Sequence, residues 1–180
     1  LWFASEVLPR IGERIPGLRF RVVGAYPPPA LEDLAALHPE IEIVGRVEET
    51  GSWYRRATVF VAPILRGSGT RLKILEAMAS GAAVVSTTVG AEGLGAGPDV
   101  LCIADDAPGF AAAVADRIAD TEGRRAMVAR ARAFVEQRFD WTAIAERQLA
   151  AWGLAAASER ADLADSETDD DPEHPLREVG

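Results

Sequence analysis

One cysteine in 180 residues leaves no disulfide possible within the chain. Cys102 lies in the apolar run Val100–Ala104, where a small buried hydrophobe is expected and not a nucleophile or metal ligand. Long hydrophobic runs are lacking too. No stretch approaches the roughly 18 apolar residues of a membrane span, and no basic segment followed by an apolar one opens the chain as a secretory leader would. These absences predict a soluble, cytoplasmic protein. Basic charge is also short: the formal net charge is −9, and the stretch 158–180 holds nine acids against Arg160 and Arg177. That stretch alone carries −7, leaving about −2 for the remainder. A nearly neutral body has no basic stripe for a phosphate backbone, so nucleic acid is excluded as a partner. High charge with few large apolar residues predicts that 158–180 is a disordered acidic tail.

What remains is one core's worth of chain. A length of 157 residues before the tail suits a single domain and not two. Leu1–Pro9 reads as the middle of an amphipathic helix with no capping residue ahead of it, which predicts an N-terminally truncated domain. Pro16-Gly17 makes a turn, and Leu18–Gly24 alternates and then becomes continuously apolar, as a strand entering a buried sheet does. Further strands are expected at Ile41–Val44, Thr58–Pro63, Ala82–Ser86 and Val100–Ile103. Short helices are expected at Ala30–Leu37, Ser52–Ala57 and about Arg71–Ser80. Strands that are apolar throughout, alternating with helices, imply a parallel sheet covered on both sides. The predicted fold is therefore α/β, a doubly wound parallel sheet, followed by a helical segment with helices near Pro108–Asp120, Glu122–Gln137 and Trp141–Ala156. In the last of these Ile144, Leu149 and Trp152 fall at roughly helical spacing and predict a packed face.

In open parallel sheets ligands bind at the carboxyl ends of the strands, which directs attention to the Gly-rich loop 66–70 after the third strand. Gly67 and Gly69 permit close backbone approach, and Ser68, Thr70 and the first amides of the following helix offer N–H groups to an anion. Arg71 and Lys73 put two cations in the first turn of that helix, where the dipole disfavours them. A phosphate accounts for that placement. An ordinary strand-to-helix turn, capped by Ser68 or Thr70 with Lys73 paired to Glu76, accounts for it equally, because the loop is neither a Walker loop nor G-x-G-x-x-G. Glu76 sits in an apolar stretch and needs a partner: either Lys73 or backbone, or the two hydroxyls of a ribose.

The run APILRGSGTRLKILEAMASG at 62–81, followed by VVST at 84–87 and GAEGL at 90–94, resembles the C-terminal donor domain of family 4 (group 1) glycosyltransferases. The likeness extends less specifically from Leu1 to about Trp141, through Leu8-Pro9, Pro16, Val23-Gly24 and Gly45–Val47. It implies a GT-B fold whose Rossmann-like C-terminal domain holds a nucleotide-diphosphate sugar, with transfer to an acceptor with retention and without a bound metal or other cofactor. By position it implies that Glu76 is the second glutamate of the family's Glu-x7-Glu motif and binds ribose, while Ser68 stands in place of the first. Gly69 and Thr70 match the backbone near the diphosphate. Gly24, Arg46 and Val47 match places near the phosphates and the nucleobase. The family's usual arginine and lysine clamp would precede Leu1, with the acceptor-binding domain missing ahead of it.

The donor-binding residues expected on these grounds are Gly24, Arg46, Val47, Gly67, Ser68, Gly69, Thr70, Arg71, Lys73 and Glu76, with no catalytic base assigned and no metal ligand. His38 and His174 read as solvated, and Trp53, Trp141 and Trp152 as filling the core or the helical segment. Thr87, Thr88 and Glu92 suit a turn as well as a site border. Two other readings fit the same residues: a non-catalytic nucleotide-binding or interaction module, and a sugar-nucleotide epimerase of the same fold.

Overall fold

The computed structural model describes residues 1–154. The acidic tail expected at 158–180 lies outside the described residues. The chain divides into two compact units, Leu1–Gln137 and one beginning at Arg138.

The first unit opens with a π-helical turn, Phe3–Val7, that runs directly into helix α1 (Leu8–Arg14). Pro9 stands at the start of α1, where a missing N–H is tolerated, and the helix runs on to Arg14, just short of the expected turn at Pro16-Gly17. Strand β1 (Phe20–Val23), helix α2 (Pro29–Leu37), strand β2 (Ile41–Gly45), helix α3 (Gly51–Arg56) and strand β3 (Val59–Ala62) follow. Helix α4 (Leu72–Ala79), strand β4 (Ala83–Ser86), a single turn α5 (Thr88–Ala91) and the two-residue strand β5 (Cys102–Ile103) complete the alternation. Helix α6 (Ala107–Ala119) and helix α7 (Thr121–Phe139) close the series.

All pairings are parallel, in the α/β architecture expected, but the ladder is interrupted. β1 pairs with β2, and β3–β4–β5 forms a separate three-stranded sheet. Both sets of strands feed one core: Val22, Ile43, Val59 and Val61 pack with Phe3, Ile11, Val85 and Phe110. Phe3 meets Phe20 at 4.7 Å and Phe110 edge-on at 5.8 Å, distances at which aromatic pairs attract beyond simple burial. β4 is buried along its whole length, which explains why Ala83, Val84 and Val85 put apolar side chains on both faces. Gly81 makes the turn into β4 with φ +86, a conformation that glycine adopts without a Cβ penalty.

In the second unit, helix α8 (Trp141–Ala151) is capped by Asp140, which accepts from the Thr142 amide at 2.9 Å. The packed face expected on α8 is corrected here: the helix buries none of its residues, and Trp141 and Trp152 are 83% and 66% exposed. Helical spacing measures a possible face, and only a partner surface buries it.

Candidate functional site

The loop between β3 and α4 and the first turns of α4 carry Gly67, Ser68, Gly69, Thr70, Arg71, Lys73 and Glu76 of the expected residues. Residues 65–70 are exposed while the next one, Arg71, is only 9% exposed. Gly69 has φ +98, so a side chain there would be strained and the backbone turns outward unobstructed. Helix α4 begins at Leu72 with Arg71 as its N-cap residue and with no side-chain cap. Neither Ser68 nor Thr70 seals it, which removes one arm of the ordinary-turn explanation. The unsealed amides and the dipole leave that end attractive to an anion.

The two cations behave differently. The Arg71 guanidinium donates through Nη2 to Gly67 O at 3.3 Å and to Val89 O at 2.7 Å, and lies 3.6 Å from Glu92 Oε2. It ties the glycine loop to α5, and its buried Nε has no partner. Lys73 is exposed, with no hydrogen bond or ion pair among the described residues. The pairing of Lys73 with Glu76 weighed from the sequence is therefore not formed.

Glu76 has another partner. Its side chain is exposed, and Tyr54 OH donates to Glu76 Oε2 at 3.2 Å. Tyr54 is buried on α3 with its ring edge-on to Phe60 at 5.3 Å. Burial, together with the Glu76 charge beside it, pushes the Tyr54 hydroxyl up to about 12, so the phenol remains a donor. Sequence reasoning missed Tyr54. The available signal was Glu76 itself, a carboxylate in an apolar stretch that required a donor from elsewhere.

Ser86 and Thr87, at the carboxyl end of β4, are fully buried and structural. Ser86 Oγ donates to Ala62 O at 3.2 Å, and Thr87 Oγ1 donates to Ile64 O and accepts from the Gly90 amide. These bonds fix where the chain leaves β3 for the glycine loop. Thr88 anchors α5 to the end of β5 through its amide and hydroxyl, both 2.7 Å from Asp105 carboxylate oxygens. Those two donors hold the Asp105 carboxyl below the ordinary range.

On the other ladder, Gly24 and the Arg46-Val47 turn adjoin because the Gly24 amide donates to Gly45 O at 2.9 Å. Arg46 is exposed. Both positions are at carboxyl ends, of β1 and β2. Trp53 is half-buried with the Arg56 guanidinium 4.6 Å above its ring, and His38 contacts Glu40 at 3.2 Å. Cys102 is half-buried, and burial raises its thiol.

Two open hollows lie elsewhere. One of about 450 Å³ is bordered by Leu8, Ile15 and Pro39, and another of about 440 Å³ by Arg55, Gly81 and Arg124. Neither is lined by residues of the glycine loop. Among the described residues no three His, Cys, Asp or Glu side chains gather as metal ligands, and no helix is long and apolar enough to cross a membrane.

Comparison with known proteins bears on the family and the fold. The sequence pattern of the family described as Glycosyl transferases group 1 matches residues 1–120. A phosphatidyl-myo-inositol mannosyltransferase of Mycolicibacterium smegmatis is 34% identical over 143 residues, covering 76% of this chain and 37% of that protein. The lipopolysaccharide core biosynthesis mannosyltransferase LpcC of Rhizobium leguminosarum bv. viciae is 47% identical over 57 residues, 32% of this chain and 16% of that protein. Among solved structures, Anabaena Alr3699/HepE in complex with UDP and glucose superposes with a TM-score of 0.68 at 18% identity, over 86% of this chain and 45% of that one. WaaG, a glycosyltransferase involved in lipopolysaccharide biosynthesis, gives 0.59 at 18% identity, over 73% and 40%. The chain thus spans about two fifths of the length of the curated relatives that it matches over most of its own.

Proposed function

Because the chain belongs to the group 1 glycosyltransferases, we propose that it is the donor-binding domain of such an enzyme. It binds a nucleotide-diphosphate sugar at the loop from Gly67 to Glu76, for transfer of the sugar to an acceptor with retention. The observation that carries this reading is the unsealed start of α4, where an exposed glycine turn is followed by a buried cation, Arg71, and an exposed one, Lys73. The diphosphate takes the free amides and the Lys73 ammonium. Glu76, one turn further along α4, accepts the ribose hydroxyls. Gly24, Arg46 and Val47 border the phosphates and nucleobase, and Ser68 and Thr70 present backbone amides.

The chemistry assigned to these groups is electrostatic. As the bond between sugar and diphosphate breaks, negative charge grows on the leaving group, and donors already aimed at it stabilise the transition state without reorganising. The similar structure holding UDP and glucose supports a uridine nucleotide as the first ligand to try. The domain is read as cytoplasmic and as acting without a bound metal.

The test is a titration with UDP, GDP, ADP and pyrophosphate. Lys73→Ala is expected to weaken all of them, since one charge-assisted hydrogen bond is worth about 1.5 to 3 kcal/mol, or roughly tenfold or more. Glu76→Ala is expected to weaken only the nucleotides. Folded variants that bind every ligand as the parent does would remove the site.

A further inference from the structure

The carboxylate that is read as the ribose ligand is not left to find its own orientation. Glu76 stands exposed on α4, where a glutamate side chain has several rotatable bonds and, unaided, samples many positions. Here one of its oxygens is held from the side by a phenol that cannot itself move far: Tyr54 is 9% exposed, is fixed on α3, and packs its ring edge-on against Phe60 of β3. The hydroxyl donates at 3.2 Å to Oε2 alone. A carboxylate has about four lone-pair sites, so Oε1 and the remaining lone pair of Oε2 stay open toward solvent. Two acceptor positions at the spacing of one carboxylate match two adjacent hydroxyls.

We propose that Tyr54 is a positioning residue that presets Glu76 for a cis-diol, so that the site selects nucleoside diphosphates with both the 2′ and 3′ hydroxyls free. This rests on the donor-site reading above and adds to it the group that confers the selectivity. The physical basis is preorganisation: a side chain already held in its binding orientation loses less freedom when the ligand arrives. Tyr54 touches no ligand in this account and acts only through Glu76. Because the phenol keeps its proton at physiological pH, the hydrogen bond runs from Tyr54 to the carboxylate and leaves the acceptor capacity of Glu76 for the ribose.

A purely structural Tyr54, merely satisfying its own buried hydroxyl, would leave ligand selectivity alone. The experiment separates the two. The 180-residue chain is titrated with UDP, with its 2′,3′-dideoxy analogue and with pyrophosphate, as parent, Tyr54→Phe, Glu76→Ala and the double variant, each checked for folding by circular dichroism. Tyr54→Phe keeps the ring packing and removes only the donor. It is expected to lower UDP affinity about 3- to 10-fold, the range set by ordering one rotamer-rich side chain on binding, to leave the dideoxy analogue and pyrophosphate unchanged, and to cost nothing further in the Glu76→Ala background. Glu76→Asp, which keeps the charge but draws the carboxylate away from Tyr54, supplies a second perturbation with the same expected pattern. Equal weakening of all three ligands by Tyr54→Phe, or no weakening of UDP, overturns the positioning role. If Glu76→Ala itself leaves UDP binding intact, the ribose reading of Glu76 fails, and this inference falls with it.

Discussion

Replacing Arg71 by methionine tests whether a buried cation braces the glycine loop. The guanidinium makes two hydrogen bonds to main-chain carbonyls, Gly67 O and Val89 O, in a site where the residue is only 9% exposed. Hydrogen bonds involving a charged group contribute about 1.5 to 3 kcal/mol each, and an unsatisfied buried donor costs about 1 to 3 kcal/mol. Methionine forfeits both bonds but also relieves the orphaned Nε and the desolvation of the charge. The first effect exceeds the second by roughly 2 to 3 kcal/mol. For a unit of this size each kcal/mol moves Tm by about 3 to 5 °C, so Arg71→Met is expected to melt roughly 6 to 15 °C below the parent in a calorimetric scan. The freed loop should also be cut faster by a protease acting at Arg66. Arg71→Lys keeps the charge on a single point that cannot repeat the guanidinium's reach, and should recover only part of the loss. A variant with methionine that melts at or above the parent temperature refutes the reasoning: burial of the charge would then outweigh its two bonds, and the loop would owe its shape to the backbone alone.

Three smaller predictions follow from individual groups. With Tyr26→Phe as background, Tyr54 is the sole tyrosine, and its phenolate absorbance should appear near pH 12; since its ordinary value is 10.0, its stabilising contribution is complete below about pH 10 and is lost as pH rises through 12, and a midpoint near 10 would contradict its burial beside the Glu76 carboxylate. Asp105 has a lowered pKa because Thr88 donates to it twice, so its contribution is present above the ordinary carboxylate range and lost as pH falls through the depressed value; Asp105→Asn should flatten that part of the acid limb in pH-dependent melting, and an unchanged limb would speak against it. Tyr26 holds φ +58 while 93% exposed, so Tyr26→Gly relieves left-handed strain of about 1 to 2 kcal/mol, less roughly 0.5 to 1 kcal/mol of glycine entropy, and should raise Tm slightly; a clear fall would mean that the aromatic ring makes contacts worth more than the strain.

The alternation of strands and helices was legible because burial writes itself into continuous apolar runs such as Val59–Ala62, partly buried, and residues 82–85, buried on both faces. The glycine loop was legible for a related reason, since glycines placed between a strand and a helix report backbone geometry directly. Contacts across the fold were not. Arg71 reads in sequence as a phosphate ligand at a helix start, and only the proximity of Val89, 18 residues on, shows it turned inward. Tyr54 and Glu76 are 22 residues apart, and nothing local to either names the other. The exposure of Trp141 and Trp152 was misread because large apolar residues are inside more often than not, a tendency that runs one way only. The break between the two ladders was hidden as well: strand patterns identify strands, but pairing partners are set by topology, which a pattern of apolar residues does not encode.

The chain by itself should bind donor without transferring sugar. It matches 37% of the length of the Mycolicibacterium relative and 45% of the length of the UDP- and glucose-bound Anabaena protein, and the described residues provide one set of groups suited to a nucleotide, at the start of α4. Glycosyl transfer needs a second reactant held against the first. Fixing two reactants in attack geometry can contribute about 7 to 11 kcal/mol, which corresponds to roughly five to eight orders of magnitude in rate. A donor loop alone supplies orientation for one partner and leaves the acceptor to collide from solution. Binding and turnover should therefore separate: measurable affinity for a nucleoside diphosphate, and no donor-dependent glycosylation by the 180-residue chain until the remaining part of a group 1 enzyme is supplied. The measurement is product formation from a labelled sugar nucleotide, with the Lys73→Ala variant as the control for adventitious activity. Turnover by the purified chain alone, abolished by Lys73→Ala, would show that the acceptor is held by residues already described, and would refute the division of labour argued from the matched lengths.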